Sequence, residues 1–136
     1  MEPLTRKLLQ AALDVRRKAY APYSNFLVGC AVEADSGRIY TGSNVENASF
    51  GLTICAERNA LFQMVASGDR RFRTLLVTAD TERPVRPCGA CLQVMVEFAS
   101  PGSRVIMAGR GNHMEEKPLA ELIPLAFTPP LEGGET

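Results

Sequence analysis

An α/β or α-β-α layered architecture, with helices packed on a mixed sheet, is what the order of pattern types along this chain predicts. Two β-favouring runs meet at a turn-forming Asp35-Ser36-Gly37 and read as a hairpin. Segments of helical period then alternate with short apolar runs, the ordering that mixes parallel with antiparallel pairing. The run Thr74-Leu-Leu-Val-Thr-Ala79 is apolar without alternation, which suits a strand covered on both faces. With 136 residues, 46% of them hydrophobic, residues 1–136 are expected to form a single domain whose core is large enough to fold without disulfides.

Each element has its own signal. Thr5 is a candidate cap for a first helix reaching about Tyr20, with Leu8, Leu9, Ala12 and Val15 on one face and Pro22 as the stop. Leu27 to Ala34 and Arg38 to Ser43 form the hairpin, and Asn44 to Thr53 reads as loop. Cys55 to Ser67 has helical spacing through Ala60, Leu61, Met64 and Val65, with Thr53 as a possible cap and Gly68 as terminator. After the strand at 74–79, a loop holding Pro84 and Pro87 leads to a helix from Cys88 to Ala99, Pro87 being suited to a first helical position. Ser100-Pro101-Gly102 ends that helix, Arg104 to Ala108 makes another strand, Gly109 to Gly111 turns, and Pro118 to Ile123 makes a short last helix before a proline-rich end.

Composition excludes several function classes. Fifteen basic and fifteen acidic residues cancel, so the basic excess that a nucleic-acid polymer demands is missing. No run approaches the length of a membrane span and no signal-peptide pattern opens the chain, so a soluble, cytoplasmic protein is expected. Four cysteines in a reducing compartment point to metal or catalytic use before disulfides.

The chemistry concentrates in Cys55-Ala56-Glu57 and Pro87-Cys88-Gly89-Ala90-Cys91. Three thiolates can hold one Zn2+ and leave a fourth position for water, whereas a structural four-cysteine site closes the shell. Both segments open helices, where unpaired amides and positive partial charge favour thiolate over thiol. Glu57 is spaced to exchange protons with a water at the open position, and Arg58 to hydrogen-bond a ligand sulfur and draw charge off it. Cys30, mid-strand between Gly29 and Ala31, reads as a buried packing residue, and the single histidine, His113, as a surface residue. The Arg70-Arg71-Phe72-Arg73 cluster reads as an exposed loop following a helix.

Together with Ala21-Pro-Tyr-Ser-Asn-Phe26, Asn44-Val-Glu-Asn-Ala48 and Leu122-Ile-Pro-Leu-Ala-Phe127, these motifs resemble, over nearly the whole chain, the small zinc-dependent cytidine deaminases that act on free nucleosides. The resemblance implies the family's α-β-α fold with about five strands, one zinc ion per subunit on Cys55, Cys88 and Cys91, and Glu57 as the acid and base. It further implies deamination of cytidine and 2′-deoxycytidine in pyrimidine salvage, with a pyrimidine nucleoside and water as the partners. Phe26 would face the pyrimidine, Asn44 and Glu46 the ribose hydroxyls, and Ala56 would offer a backbone group to the base edge. A homotetramer is implied, with Phe50 and Phe127 closing pockets, Phe50 on a neighbouring subunit's site. Leu92 stands where the family usually has an arginine that helps neutralise the sulfurs, and Arg86 where it has a small residue. Arg86 therefore either compensates for the lost charge or lies in solvent.

Overall fold

A computed structural model describes residues 1–111 and 113–129, so the last part of the proline-rich end lies outside the described residues. The first helix, α1, is Pro3–Arg16. It starts two residues before the expected Thr5, because Pro3 takes a first-turn position, where a proline's missing N–H costs nothing. It also ends four residues before Tyr20. The Tyr20 amide donates to the Asn44 carbonyl at 3.0 Å and its carbonyl accepts from the Glu46 amide at 2.8 Å, so its backbone belongs to the loop after the hairpin.

The hairpin is β1 (Val28–Ala34) and β2 (Ile39–Ser43). The segment read as loop contains a single 3-10 turn, Phe50–Leu52, and leads into helix α2, Ala56–Ala66. Thr53 is not the cap of α2: Cys55 occupies that position, and the Thr53 hydroxyl instead accepts from the Asn47 amide at 3.2 Å. Strand β3 is Phe72–Ala79, which takes in part of the arginine-rich cluster, and helix α3 is Gly89–Phe98. Pro87 falls just outside α3, whose cap is Cys88.

Strand β4, Ala99–Ala108, begins five residues before Arg104. Ser100-Pro101-Gly102 does not separate helix from strand but forms an irregularity within the strand: the register against β3 shifts between Phe72 and Thr74, and Gly102 takes a φ of 80°. Proline is tolerated there because a bulge leaves its missing donor unneeded. Strand β5, Met114–Pro118, pairs antiparallel with β4 in a segment where the sequence shows no strand signal. Its Met-Glu-Glu-Lys-Pro is the charged, proline-ended sequence of a sheet edge, which carries no apolar alternation to read. Helix α4 is Leu119–Leu122.

The five strands run in the order β2-β1-β3-β4-β5, parallel only between β3 and β4. The three expected layers are present. On one face Ala31, Leu76 and Ile106 meet Leu8 and Ala12 of α1. On the other, Cys30, Val32, Leu75, Val77, Val105 and Met107 meet Ala60, Leu61 and Met64 of α2 and Cys91 and Met95 of α3. Alternate residues of each strand thus feed opposite cores, and this explains why β3 reads as continuously apolar. Gly42 sets the distance between β2 and α2: a Cβ there would lie 2.4 Å from the Ala60 nitrogen.

Candidate active site

The two helices on the second face start at the same end of the sheet, and their first residues carry the cysteines. Cys55 caps α2, Cys88 caps α3, and Cys91 lies buried in the first turn of α3. The entry to α2 is pinned by a short ladder in which Val45 and Ile54 exchange backbone hydrogen bonds at 3.0 Å. Asn59 holds the same helix to the end of β2 by donating from Nδ2 to the Ser43 carbonyl at 2.8 Å.

The Sγ atoms of Cys55, Cys88 and Cys91 lie within 4.8 Å of one another, and the Cys88 and Cys91 sulfurs are 3.5 Å apart. A tetrahedral metal with Zn–S bonds of about 2.3 Å sets its sulfur ligands roughly 3.8 Å apart, so the spacing of this donor set fits zinc. All three are free thiols, and among the described residues no fourth His, Cys, Asp or Glu joins the group. Cys30 is fully buried in the core and does not belong to this group of sulfurs, and burial holds its thiol well above its ordinary pKa. His113 is in the loop before β5, with Nδ1 2.8 Å from the Glu82 carbonyl oxygen.

Electrostatics single out one sulfur and one carboxyl. The Cys55 thiol is drawn down to about 5, first by a hydrogen bond from Cys91 and then by Arg58, whose Nη2 donates to Cys55 Sγ at 3.4 Å. Cys91 moves in the opposite direction, because it is the proton-holding partner of that bond and is buried. Glu57, in the first turn of α2, is 5% exposed, and burial pushes its carboxyl up to about 7. Its charge also acts on the thiols of Cys91 and Cys30, so it lies within electrostatic reach of both. A carboxyl that titrates near neutrality beside a metal-binding cluster can both accept and return a proton.

Of the two positions where the chain departs from its resemblance, Leu92 packs against the core and Arg86 faces solvent. The Arg86 guanidinium is 75% exposed and pairs with Glu115 at 3.4 Å. Arg58 is the cation hydrogen-bonded to the sulfurs among the described residues, and its Nε is buried with no partner.

The residues expected to contact substrate fall into two groups. Ala56 is buried at the first position of α2, and Phe26 is 43% exposed. Asn44 and Glu46 are both engaged with backbone: Asn44 Oδ1 accepts from Val28 at 2.9 Å and Nδ2 donates to the Phe26 carbonyl at 2.7 Å. Glu46 Oε1 accepts from the amides of Tyr23 and Ser24, and Oε2 accepts from the Ser24 hydroxyl. Glu46 lines a cavity of about 340 Å³ with Tyr23, Ser24, Phe50 and Thr53. Tyr23, Ser24 and Thr53 are lining residues that sequence reasoning did not single out as site residues. Phe50 meets Tyr23 edge to face at 5.7 Å, and Phe127 is anchored by its carbonyl, which accepts from Gln93 at 2.9 Å. Both phenylalanine rings stay largely exposed.

A family model described as the cytidine and deoxycytidylate deaminase zinc-binding region matches residues 3–108. A cytidine deaminase of Sporosarcina psychrophila is 46% identical over 122 residues, covering 90% of either chain. One from Halalkalibacterium halodurans is 46% identical over 121 residues, covering 89% of this chain and 92% of its own. The crystal structure of a cytidine deaminase from Burkholderia pseudomallei is similar with a TM-score of 0.87 at 43% identity, covering 93% of this chain and 100% of that one.

Proposed function

This chain belongs to the cytidine and deoxycytidylate deaminase family, and we propose that it hydrolyses the 4-amino group of cytidine and 2′-deoxycytidine, releasing ammonia and the corresponding uridines. The observation that carries this reading is the convergence of three free sulfurs at two helix starts, with a buried carboxyl in the first turn of one of those helices.

Held by Cys55, Cys88 and Cys91, one zinc ion per subunit would supply a Lewis-acid centre that makes water nucleophilic at neutral pH. As the water oxygen adds to C4 of the pyrimidine, Glu57 takes one of its protons and passes it to N3 of the ring. Glu57 then moves the second proton from the new C4 hydroxyl to the exocyclic nitrogen. The C4–N bond breaks, ammonia leaves, and the C4 carbonyl forms. The low exposure of Glu57 supports this assignment, since a desolvated carboxyl passes protons without competition from bulk water. Arg58 stabilises the Cys55 thiolate and draws charge from the sulfur-rich cluster.

Substrate recognition follows the same reading. Phe26 faces the pyrimidine, the backbone at Ala56 meets the base edge, and Asn44 and Glu46 take ribose hydroxyls. Phe50 at 72% and Phe127 at 74% exposure are costly on a lone chain, which supports a homotetramer in which neighbouring subunits complete one another's pockets. Residues 1–136 act as a single domain in that assembly. Pyrimidine salvage in the cytoplasm fits the free-nucleoside substrate, and among the described residues no helix is long and apolar enough to cross a membrane.

The test follows the ultraviolet change from cytosine to uracil when zinc-loaded protein meets cytidine, deoxycytidine and a short cytosine-containing oligonucleotide. Conversion of both nucleosides and not the oligonucleotide is the expected result. Conversion of the oligonucleotide alone, or of none, overturns the reading, and a mass measurement in solution checks the tetramer.

A further inference from the structure

Outside the sulfur cluster, the loop between α1 and β1 is an exposed segment held by many hydrogen bonds. Its backbone is spoken for residue by residue. The amides of Tyr23 and Ser24 donate to Glu46 Oε1 at 2.9 and 3.1 Å. The Asn25 amide donates to the Ala21 carbonyl at 2.9 Å, and the Phe26 amide to Ser24 Oγ at 3.0 Å. The Phe26 carbonyl takes Asn44 Nδ2 at 2.7 Å. Asn25 sits at a φ of 58°, a left-handed conformation that asparagine adopts more readily than other non-glycine residues.

The donor and acceptor inventory of Glu46 and Asn44 then gives a specific remainder. A carboxylate offers about four lone-pair sites. Two backbone amides fill Oε1, and the Ser24 hydroxyl takes one site on Oε2, leaving one acceptor site on a side chain that lines the cavity. Asn44 has both ends bonded to backbone, leaving one N–H and one Oδ1 lone pair of its amide. The Glu46 acceptor and the Asn44 N–H are together what a single hydroxyl can satisfy, since it donates once and accepts. A phosphate, which only accepts, would meet the Glu46 charge.

We propose that Ser24 is a positioning residue that fixes the rotation of the Glu46 carboxylate, so that its one remaining lone pair reads a single sugar hydroxyl of the nucleoside. This rests on the nucleoside deaminase reading above. Ser24 joins the two functions through one atom: Oγ donates to Glu46 and accepts from Phe26, so the carboxylate that reads the sugar is locked to the residue proposed to face the base. Without the hydroxyl, Oε1 stays held by the two amides but Oε2 has two free sites and no fixed partner, so selectivity for the sugar hydroxyl falls.

The experiment compares the zinc-loaded wild type with Ser24→Ala and Ser24→Thr on deoxycytidine and on 2′,3′-dideoxycytidine, which lacks the 3′-hydroxyl. For Ser24→Ala the expected result is a KM for deoxycytidine raised about tenfold with kcat within about twofold, the scale of losing one charge-assisted hydrogen bond. The KM for dideoxycytidine should change less than about twofold, and Ser24→Thr should restore the wild-type ratio. A Ser24→Ala/Glu46→Gln pair should lose no more than Glu46→Gln alone, since both act on one contact. Equal KM losses on both substrates, or additive losses in the double variant, would mean that Ser24 serves only the loop's structure and would overturn the proposal. If Ser24→Ala does not fold, Ser24→Thr with a wild-type ratio still supports the role, and Ser24→Thr with a lost ratio overturns it. Absence of wild-type turnover on every nucleoside would instead sink the deaminase reading, a separate outcome.

Discussion

Glu57 and Arg86 mark the two ends of what a single residue contributes here. Glu57 is nearly sealed from solvent and titrates near neutrality because burial opposes its charge. Its replacement by glutamine keeps the shape and removes the proposed proton carrier. Glu57→Gln should retain zinc, by metal analysis, while turnover of deoxycytidine falls by roughly 10²–10⁴. Retained turnover would remove Glu57 from the role of proton carrier. Arg86, two residues before Cys88, is exposed and paired with Glu115, so it does not compensate for the leucine at position 92. Arg86→Ala should leave zinc affinity and turnover unchanged, checked by chelator competition and the ultraviolet assay. The sulfur cluster was legible at this scale because one helical turn separates Cys88 from Cys91, and residue type alone tells thiol from carboxyl. The backbone bonds of Asn44 and Glu46 were not, since their partners at 23 to 28 are close only after the chain has turned back.

Helix starts are the unit that assembles the site, and their placement depends on how closely each helix approaches the sheet. The α2 backbone lies so near β2 that an added Cβ at Gly42 would also meet the Ala56 carbonyl at 2.8 Å. Gly42→Ala must push α2 outward and carry Cys55 with it. The expected cost is about 1–3 kcal/mol or more in thermal unfolding, with a fall in zinc affinity beyond what a remote core substitution of equal cost produces. Unchanged zinc affinity at reduced stability would show that the metal cluster tolerates movement of the helix. Elements with strong periodicity, such as α2 and β3, were readable to within about two residues. The edge strand β5 was missed and the caps of α2 and α3 were misassigned to Thr53 and the Pro87 boundary, because charged edges and cap positions are decided by pairing partners and not by local composition.

At the scale of the molecule, the three sulfurs tie together two helices that pack on one face of the sheet, while α1 seals the other. Zinc bound there adds its binding free energy to folding, so chelation should lower the melting temperature and Cys91→Ser should lower it similarly and abolish the response to chelator. A melting temperature indifferent to chelator in the wild type would contradict metal binding at these residues. The order of hairpin, helices and strands, and with it the layered α/β class, followed from the sequence by itself, because burial period and turn chemistry are local properties. So did the pairing of Cys55 with Cys88 and Cys91, whose sulfurs the structure brings within 4.8 Å of one another, and the proposal of Glu57 beside them. The tertiary structure alone decided that both helix starts face one point, that Glu57 is desolvated there, and that most of Glu46's acceptor sites and part of the Asn44 amide are spent on the loop at 23 to 28. Each of these depends on distances between residues far apart in the chain, which sheet order and helix packing set and no local pattern encodes.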